Sequence, residues 1–274
     1  ATSNCLIKGL VINGYSNSIG CGIYMYYVGG GGGKVTNNRI YGCYIGTNVT
    51  GEVALGNYYG IRIDDGTSNV IGSTEAGNAN IISGNAVTSA SCGILITKES
   101  DSNLIYGNYI GLNRTGNNAV ANTFGVYIKN NSNSNKIGDT VSGTRNIISG
   151  NSSNGIWIAS GSNEVTNNVI GANSARSAAL PNGASGIRIE GSDNLIGKSV
   201  WGYPNMISGN TGDGVYIVSG SNNQLRNNRI GLNNAGTDAM ANGGSGVRIG
   251  SSSNFIGSTE ANGRNWISGN TGNG

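Results

Sequence analysis

The sequence contains no histidine, only 11% charged residues and just four cysteines. Each shortage removes a class of function. Cys5, Cys21, Cys43 and Cys92 lie in the first third of the chain without a Cys-x-x-Cys spacing, and no histidine can join them, so a zinc site is not expected. No cofactor and no metal ligand is predicted. Cys21 and Cys92 each precede the glycine of a repeated unit, but two repeats apart. At ~4.8 Å per coil that is ~9.6 Å, beyond the Cα reach of a disulfide, so the cysteines read as buried or half-buried free thiols. The formal charge of +3 is spread thinly, with no lysine or arginine cluster, so nucleic acid is not an expected partner. No stretch approaches the roughly 18 apolar residues of a membrane span, and residues 1–12 do not read as a basic-plus-apolar leader.

What is abundant is glycine, 49 residues of it, set among regularly placed isoleucine and valine. The unit Gly-Ile/Val-x-Ile recurs at Gly60, Gly93, Gly125, Gly155, Gly186, Gly214 and Gly246, in steps of 33, 32, 30, 31, 28 and 32 residues. Gly22-Ile23-Tyr24-Met25 is an earlier copy. This period marks a solenoid, in which each repeat buries its apolar face only against its neighbours.

Two further apolar strips recur between these units. One is Asn-x-Ile, as in Asn38-Arg39-Ile40, Asn69-Val70-Ile71, Asn103-Leu104-Ile105, Asn135-Lys136-Ile137, Asn194-Leu195-Ile196 and Asn254-Phe255-Ile256. The other centres on Ile45, Ile82, Ile110, Ile148, Ile170, Ile207, Ile230 and Ile267. Alternation within each strip gives the period of two that marks short strands. The expectation is an all-β, right-handed, single-stranded parallel β-helix of about eight coils, ~40 Å long, with three short strands per coil. Residues 1–274 then form a single β-helix domain. The asparagine before each second strand should stack into an asparagine ladder, each amide linking the coils on either side.

Loop lengths alternate, so the true repeat is two coils. Long loops follow the third strand at 46–60, 111–125, 171–186 and 231–246; insertions between the second and third strands fall at 72–80, 138–146, 197–205 and 257–265. Two loop rows should line two edges of the rod, with teeth ~9.6 Å apart. The glycine run at 29–33 reads as a mobile bulge rather than a phosphate loop, because no helix follows it.

Segments such as Ser102-Asn103-Leu104-Ile105-Tyr106-Gly107-Asn108-Tyr109-Ile110-Gly111 and Arg145-Asn146-Ile147-Ile148-Ser149-Gly150-Asn151 resemble the parallel β-helix repeats of the pectate-lyase-like superfamily. The resemblance covers nearly the whole chain. It implies a secreted or cell-surface protein, but that architecture hosts lyases, hydrolases, epimerases, tailspikes, adhesins and filament subunits. The Gly-His-Gly motif of polygalacturonase-like hydrolases and the Trp-x-Asp-His strip of pectate-lyase-like enzymes are both missing, since each needs histidine. The hydrolases' Arg-Ile-Lys triplet is missing too; Arg62-Ile63-Asp64 and Arg188-Ile189-Glu190 are only superficially similar. Asp64-Asp65 is the single adjacent acidic pair, matched one coil on by Thr97-Lys98 and then by Lys129-Asn130, so both aspartates read as turn formers and no catalytic residue is assigned.

The outward position of the first strand reads Tyr24, Arg62, Leu95, Tyr127, Trp157, Arg188, Tyr216, Arg248. Aromatic faces and guanidinium groups one coil apart suit sugar rings and carboxylate or sulfate groups. The alternative is that these residues merely cover exposed strands. Tyr24, Arg62, Tyr127, Trp157, Arg188, Tyr216 and Arg248 are therefore the candidate polysaccharide face. Because these side chains point outward, Trp157→Ala and Arg188→Ala should each weaken binding to an acidic polysaccharide while leaving stability nearly unchanged. The expected function is a non-enzymatic extracellular or cell-surface β-helix, a structural, adhesive or filament-building element contacting polysaccharide; the alternative is a polysaccharide lyase or glycoside hydrolase module. Residues 1–12 enter the pattern at a second strand, and Asn270-Thr271-Gly272-Asn273-Gly274 matches Asn210-Thr211-Gly212-Asp213-Gly214. End-to-end self-association, or continuation of the helix, is the expectation drawn from those ends.

Overall fold

The computed structural model describes residues 3–29 and 31–274. Position 30, inside the glycine run read as a bulge, lies outside the described residues, as do positions 1 and 2 of the entering coil. The chain winds into a parallel β-solenoid of three long sheets, two of nine strands and one of eight. All strand pairs within them are parallel, and each strand pairs with its counterpart one coil away.

The register is the one the repeat dictates. In the first sheet Ile23, Ile61, Ile94, Val126, Ile156, Ile187, Val215 and Val247 stand in one column. In the second, Ile40, Ile71, Ile105, Ile137, Val165, Ile196 and Leu225 do the same. Ile45, Ile82, Ile110, Ile148, Ile170, Ile207 and Ile230 form the third column. Nearly all of them are fully buried and belong to one continuous core. Each such side chain removed from water contributes about 1.5–3 kcal/mol. Val165 and Leu225 take the isoleucine slot of the second column, which is why an Asn-x-Ile search passes over those two coils.

Among the described residues three asparagine ladders run along the axis, where the repeat predicts one. The expected one links Asn38, Asn69, Asn103, Asn135, Asn163, Asn194, Asn223 and Asn254. A second, ahead of the third sheet, runs from Asn80 through Asn108, Asn146, Asn168, Asn205 and Asn228 to Asn265. A third, ahead of the first sheet, runs from Asn57 through Asn85, Asn122, Asn151, Asn182, Asn210 and Asn242 to Asn270. In a typical rung Asn69 Nδ2 donates to Asn103 Oδ1 (2.9 Å) and to the Val35 carbonyl (3.1 Å), so each buried amide ties three coils together.

The third ladder explains the glycine of Gly-Ile-x-Ile. A Cβ on Gly93 would stand 2.7 Å from the Gly125 carbonyl oxygen and 2.9 Å from Asn122 Nδ2. Close approach of neighbouring coils, not backbone angle, therefore fixes glycine there.

The two loop rows line the rod as expected, but their teeth are not isolated. The long loops reach one another across the intervening coil: Arg114 N–H donates to the Gly51 carbonyl (3.1 Å) and Ser174 N–H to the Gly116 carbonyl (2.9 Å). Arg176 Nη1 donates to Asn234 Oδ1 at 2.7 Å. One row follows the third sheet and the other precedes it, so the outward face of the third sheet lies in a walled trough. An apolar cluster of Leu112, Ile147, Val169, Ala172, Met206 and Met240 fills its middle.

Candidate functional site

The first sheet places the outward strip as the repeat requires. Tyr24, Arg62, Leu95, Tyr127, Trp157, Arg188, Tyr216 and Arg248 are consecutive register partners. Leu95 is only 2% exposed and divides the strip into two groups.

In the larger group the Tyr127 and Trp157 rings stack at 4.3 Å between centroids and 12° between planes. Phe124 meets the Trp157 ring edge-on at 5.2 Å. The Arg188 guanidinium lies over Trp157 (5.1 Å) and over Tyr216 (6.0 Å), and Arg248 covers the other side of Tyr216 (4.7 Å). Arg188 also pairs with Glu190, through Nε at 2.9 Å and Nη2 at 2.5 Å. Side chains one coil apart along parallel strands meet face to face, so ring faces turn toward one another along the axis and ring edges toward solvent. Among the described residues Trp157 Nε1 is the buried donor of this ladder that finds no hydrogen-bond partner.

The smaller group is built around Asp64. Arg62 donates to it twice, Nε to Oδ1 and Nη2 to Oδ2, both at 2.7 Å. Lys98 Nζ approaches Oδ2 at 2.9 Å, and the Tyr24 hydroxyl donates to the same oxygen at 2.9 Å. Burial alone would raise the Asp64 carboxyl; the donations from Arg62, Lys98 and Tyr24 outweigh it and hold the group below its ordinary value. Partial burial, and then the bond to Asp64, push the Tyr24 hydroxyl up to about 12. Arg62 further lies over the Tyr24 ring (5.0 Å) and the Tyr59 ring (5.6 Å).

The reading of both aspartates as turn formers holds for Asp65 alone, whose φ of 52° is left-handed. Asp64 ends the strand Tyr59–Asp64 with its side chain 1% exposed, as the counter-ion of two cations. The signal for this was the alternation itself, which sets Arg62 and Asp64 on the same outward side of one strand, with Lys98 one coil on.

The four cysteines are free thiols. Burial pushes Cys21 up to about 11 and Cys92 up to about 12, so both stay protonated near neutral pH. Among the described residues no helix is long and apolar enough to cross a membrane.

No family model matches the chain, and no curated protein matches it. Among solved structures, the A-module of the Azotobacter vinelandii mannuronan C-5 epimerase AlgE6 is similar in fold, at 15% identity and a TM-score of 0.46, over 99% of this chain and 74% of that one.

Proposed function

We propose that this chain is a non-enzymatic structural β-helix of the extracellular or cell-surface kind, a rigid surface, adhesive or filament-building element. Its first-sheet strip acts chiefly as a stiffening ladder and meets polysaccharide with ring edges and guanidinium rims. One observation carries this reading: the rings and cations of the strip are already engaged with one another along the axis. Sugar rings that stack on aromatic faces would have to displace those contacts, whereas edge contacts with Tyr127, Trp157 and Tyr216 would not.

A lyase or hydrolase reading draws on the Asp64 group, where a carboxylate, two cations and a phenol converge. Its chemistry points the other way. A carboxylate held ionised by three donors is a poor proton donor, and a phenol at about 12 is a poor base near neutral pH. The test is incubation with a panel of acidic polysaccharides while following both binding and the release of reducing or unsaturated ends. Binding without new ends is the expected result. Turnover that disappears in Asp64→Asn would replace the structural reading with the enzymatic one.

A further inference from the structure

The trough on the third sheet holds a second feature that the first-sheet strip does not explain. At its far end a cleft of about 620 Å³ is lined by four arginines, Arg264 at its edge and three that sense one another's charge, Arg145, Arg176 and Arg229, with Trp201 and Trp266 beside them. The three arginines come from separate elements. Arg145 ends one inserted loop, Arg176 stands in a long loop with φ of 61°, and Arg229 points outward from the strand Asn228–Ile230. Only the stacking of coils brings them together.

Their partners are neutral. Arg145 donates through Nε and Nη2 to Asn167 Oδ1 (3.0 and 2.7 Å), Arg176 to Asn234 Oδ1, and Arg229 to the Asn234 carbonyl. Among the described residues none of the three forms an ion pair with a carboxylate. Glu260, which also lines the cleft, is taken by Arg226 at 3.0 Å. Burial and then the like charges of Arg176 and Arg229 pull Arg145 below the usual arginine value, and burial and then Arg176 do the same to Arg229. Like charges gathered without a counter-ion raise the energy of the free protein, and an anion in the cleft would relieve it.

The spacing specifies the shape of that anion. The strand after Arg145 and the strand bearing Arg229 are three coils apart in the third sheet. At ~4.8 Å per coil the strands are ~14 Å apart, and because Arg145 reaches one coil on to Asn167 the charged groups span ~10–14 Å, too long for one carboxylate or sulfate and suited to a linear chain bearing several. Trp201, 81% exposed, offers a broad apolar ring face at the rim, unlike the mutually stacked rings of the first sheet. Trp266 closes the floor under the Arg229 guanidinium, 5.1 Å from its ring. A net charge of +3 over the whole chain is sparse for a nucleic-acid track, which follows a phosphate at every nucleotide.

We infer that the cleft at the far end of the third-sheet trough binds an acidic polysaccharide along the rod axis, with Arg145, Arg176 and Arg229 holding successive carboxylate or sulfate groups and Trp201 packing on a sugar ring. The site is separate from the first-sheet strip and does not depend on the function proposed for it.

Calorimetric titration with oligogalacturonate, its methyl ester and an oligothymidylate of matched charge tests this. The acid form should bind, salt should weaken it, and the ester should bind at least tenfold more weakly. Arg176→Gln should weaken binding about tenfold, the order of one hydrogen bond to a charged group, and Arg145→Gln/Arg176→Gln/Arg229→Gln should weaken it at least a hundredfold. If the triple variant misfolds, Arg176→Gln and Trp201→Ala carry the test, since both residues stand on loops. Unchanged binding in these variants, with loss in Trp157→Ala or Arg188→Gln, would move the ligand to the first sheet and overturn the inference. Equal binding of ester and acid, or tighter binding of oligothymidylate, would overturn it as well.

Discussion

Two outward faces of the same solenoid treat their arginines in opposite ways. On the first sheet Arg62 and Arg188 each have a carboxylate two residues further along the chain, and Arg188 and Arg248 cover aromatic rings. On the third-sheet side Arg145, Arg176 and Arg229 meet amide and carbonyl oxygens, and Arg229 the Trp266 ring, but among the described residues no carboxylate, while repelling one another. A surface whose charges are internally satisfied contributes to folding. A surface whose charges are left unmatched stores repulsion that folding does not need, and a ligand of opposite sign can use it. The loops sharpen the contrast, because both rows flank the third sheet.

The largest effect should come from the satisfied face. Asp64→Ala unpairs the largely buried Arg62, returns the half-exposed Lys98 to water and removes three hydrogen bonds, so unfolding stability should fall by about 2–3 kcal/mol, less than for a fully buried ion pair. The effect should depend on pH in a defined sense. The folded carboxyl lies below its unfolded value, so its stabilisation is fully present above the ordinary aspartate range of about 4 and is lost as pH falls through the depressed folded value. Denaturant midpoints of wild type and variant should therefore converge in acid. A constant gap down to strongly acidic pH would show that Asp64 is not the ionised counter-ion.

Next in size is the comparison of two tryptophans. Trp157 is sandwiched between Tyr127 and Arg188, so Trp157→Ala should cost about 1–2 kcal/mol from lost stacking and cation–π contact. This departs from the expectation that truncating an outward residue leaves stability nearly unchanged. Trp201 is free at the cleft rim, and Trp201→Ala should stay within about 0.5 kcal/mol. Urea unfolding of the two variants side by side measures the contrast, and equal losses would erase it.

The sequence carried the rod clearly and the cleft poorly, for a physical reason. Columns such as Ile61, Ile94 and Val126 are legible because each coil repeats the same local alternation. The asparagines ahead of the third sheet were as regular in role, from Asn80 to Asn108 to Asn146, but insertions of varying length separate them from the second strand and blur their spacing. The first-sheet strip was legible because a strand's outward residue is fixed by its inward neighbours. Arg145, Arg176 and Arg229 share no motif, since a loop end, a loop tip and a strand each supply one. The alternating loops were visible in the chain; that they flank a single trough, and that the outward residues of that sheet end in Arg229 and Trp266, follows only when both rows are placed on one face.

The smallest expected change is the most telling about the unmatched face. Arg176→Gln removes one hydrogen bond to Asn234, a loss of about 1 kcal/mol. It also removes the charge that Arg145 and Arg229 both feel, and the two effects should nearly cancel, leaving stability within about 0.5 kcal/mol of wild type. Salt separates the terms. At 0.1 M the screening length is about 10 Å and at 1 M about 3 Å, so added salt should relieve the repulsion in the wild type and have less to relieve in the variant. Thermal unfolding across that range should show the wild type gaining more than Arg176→Gln. A parallel salt response would mean that the three guanidinium groups do not sense one another, and the third-sheet face would then be as satisfied as the first.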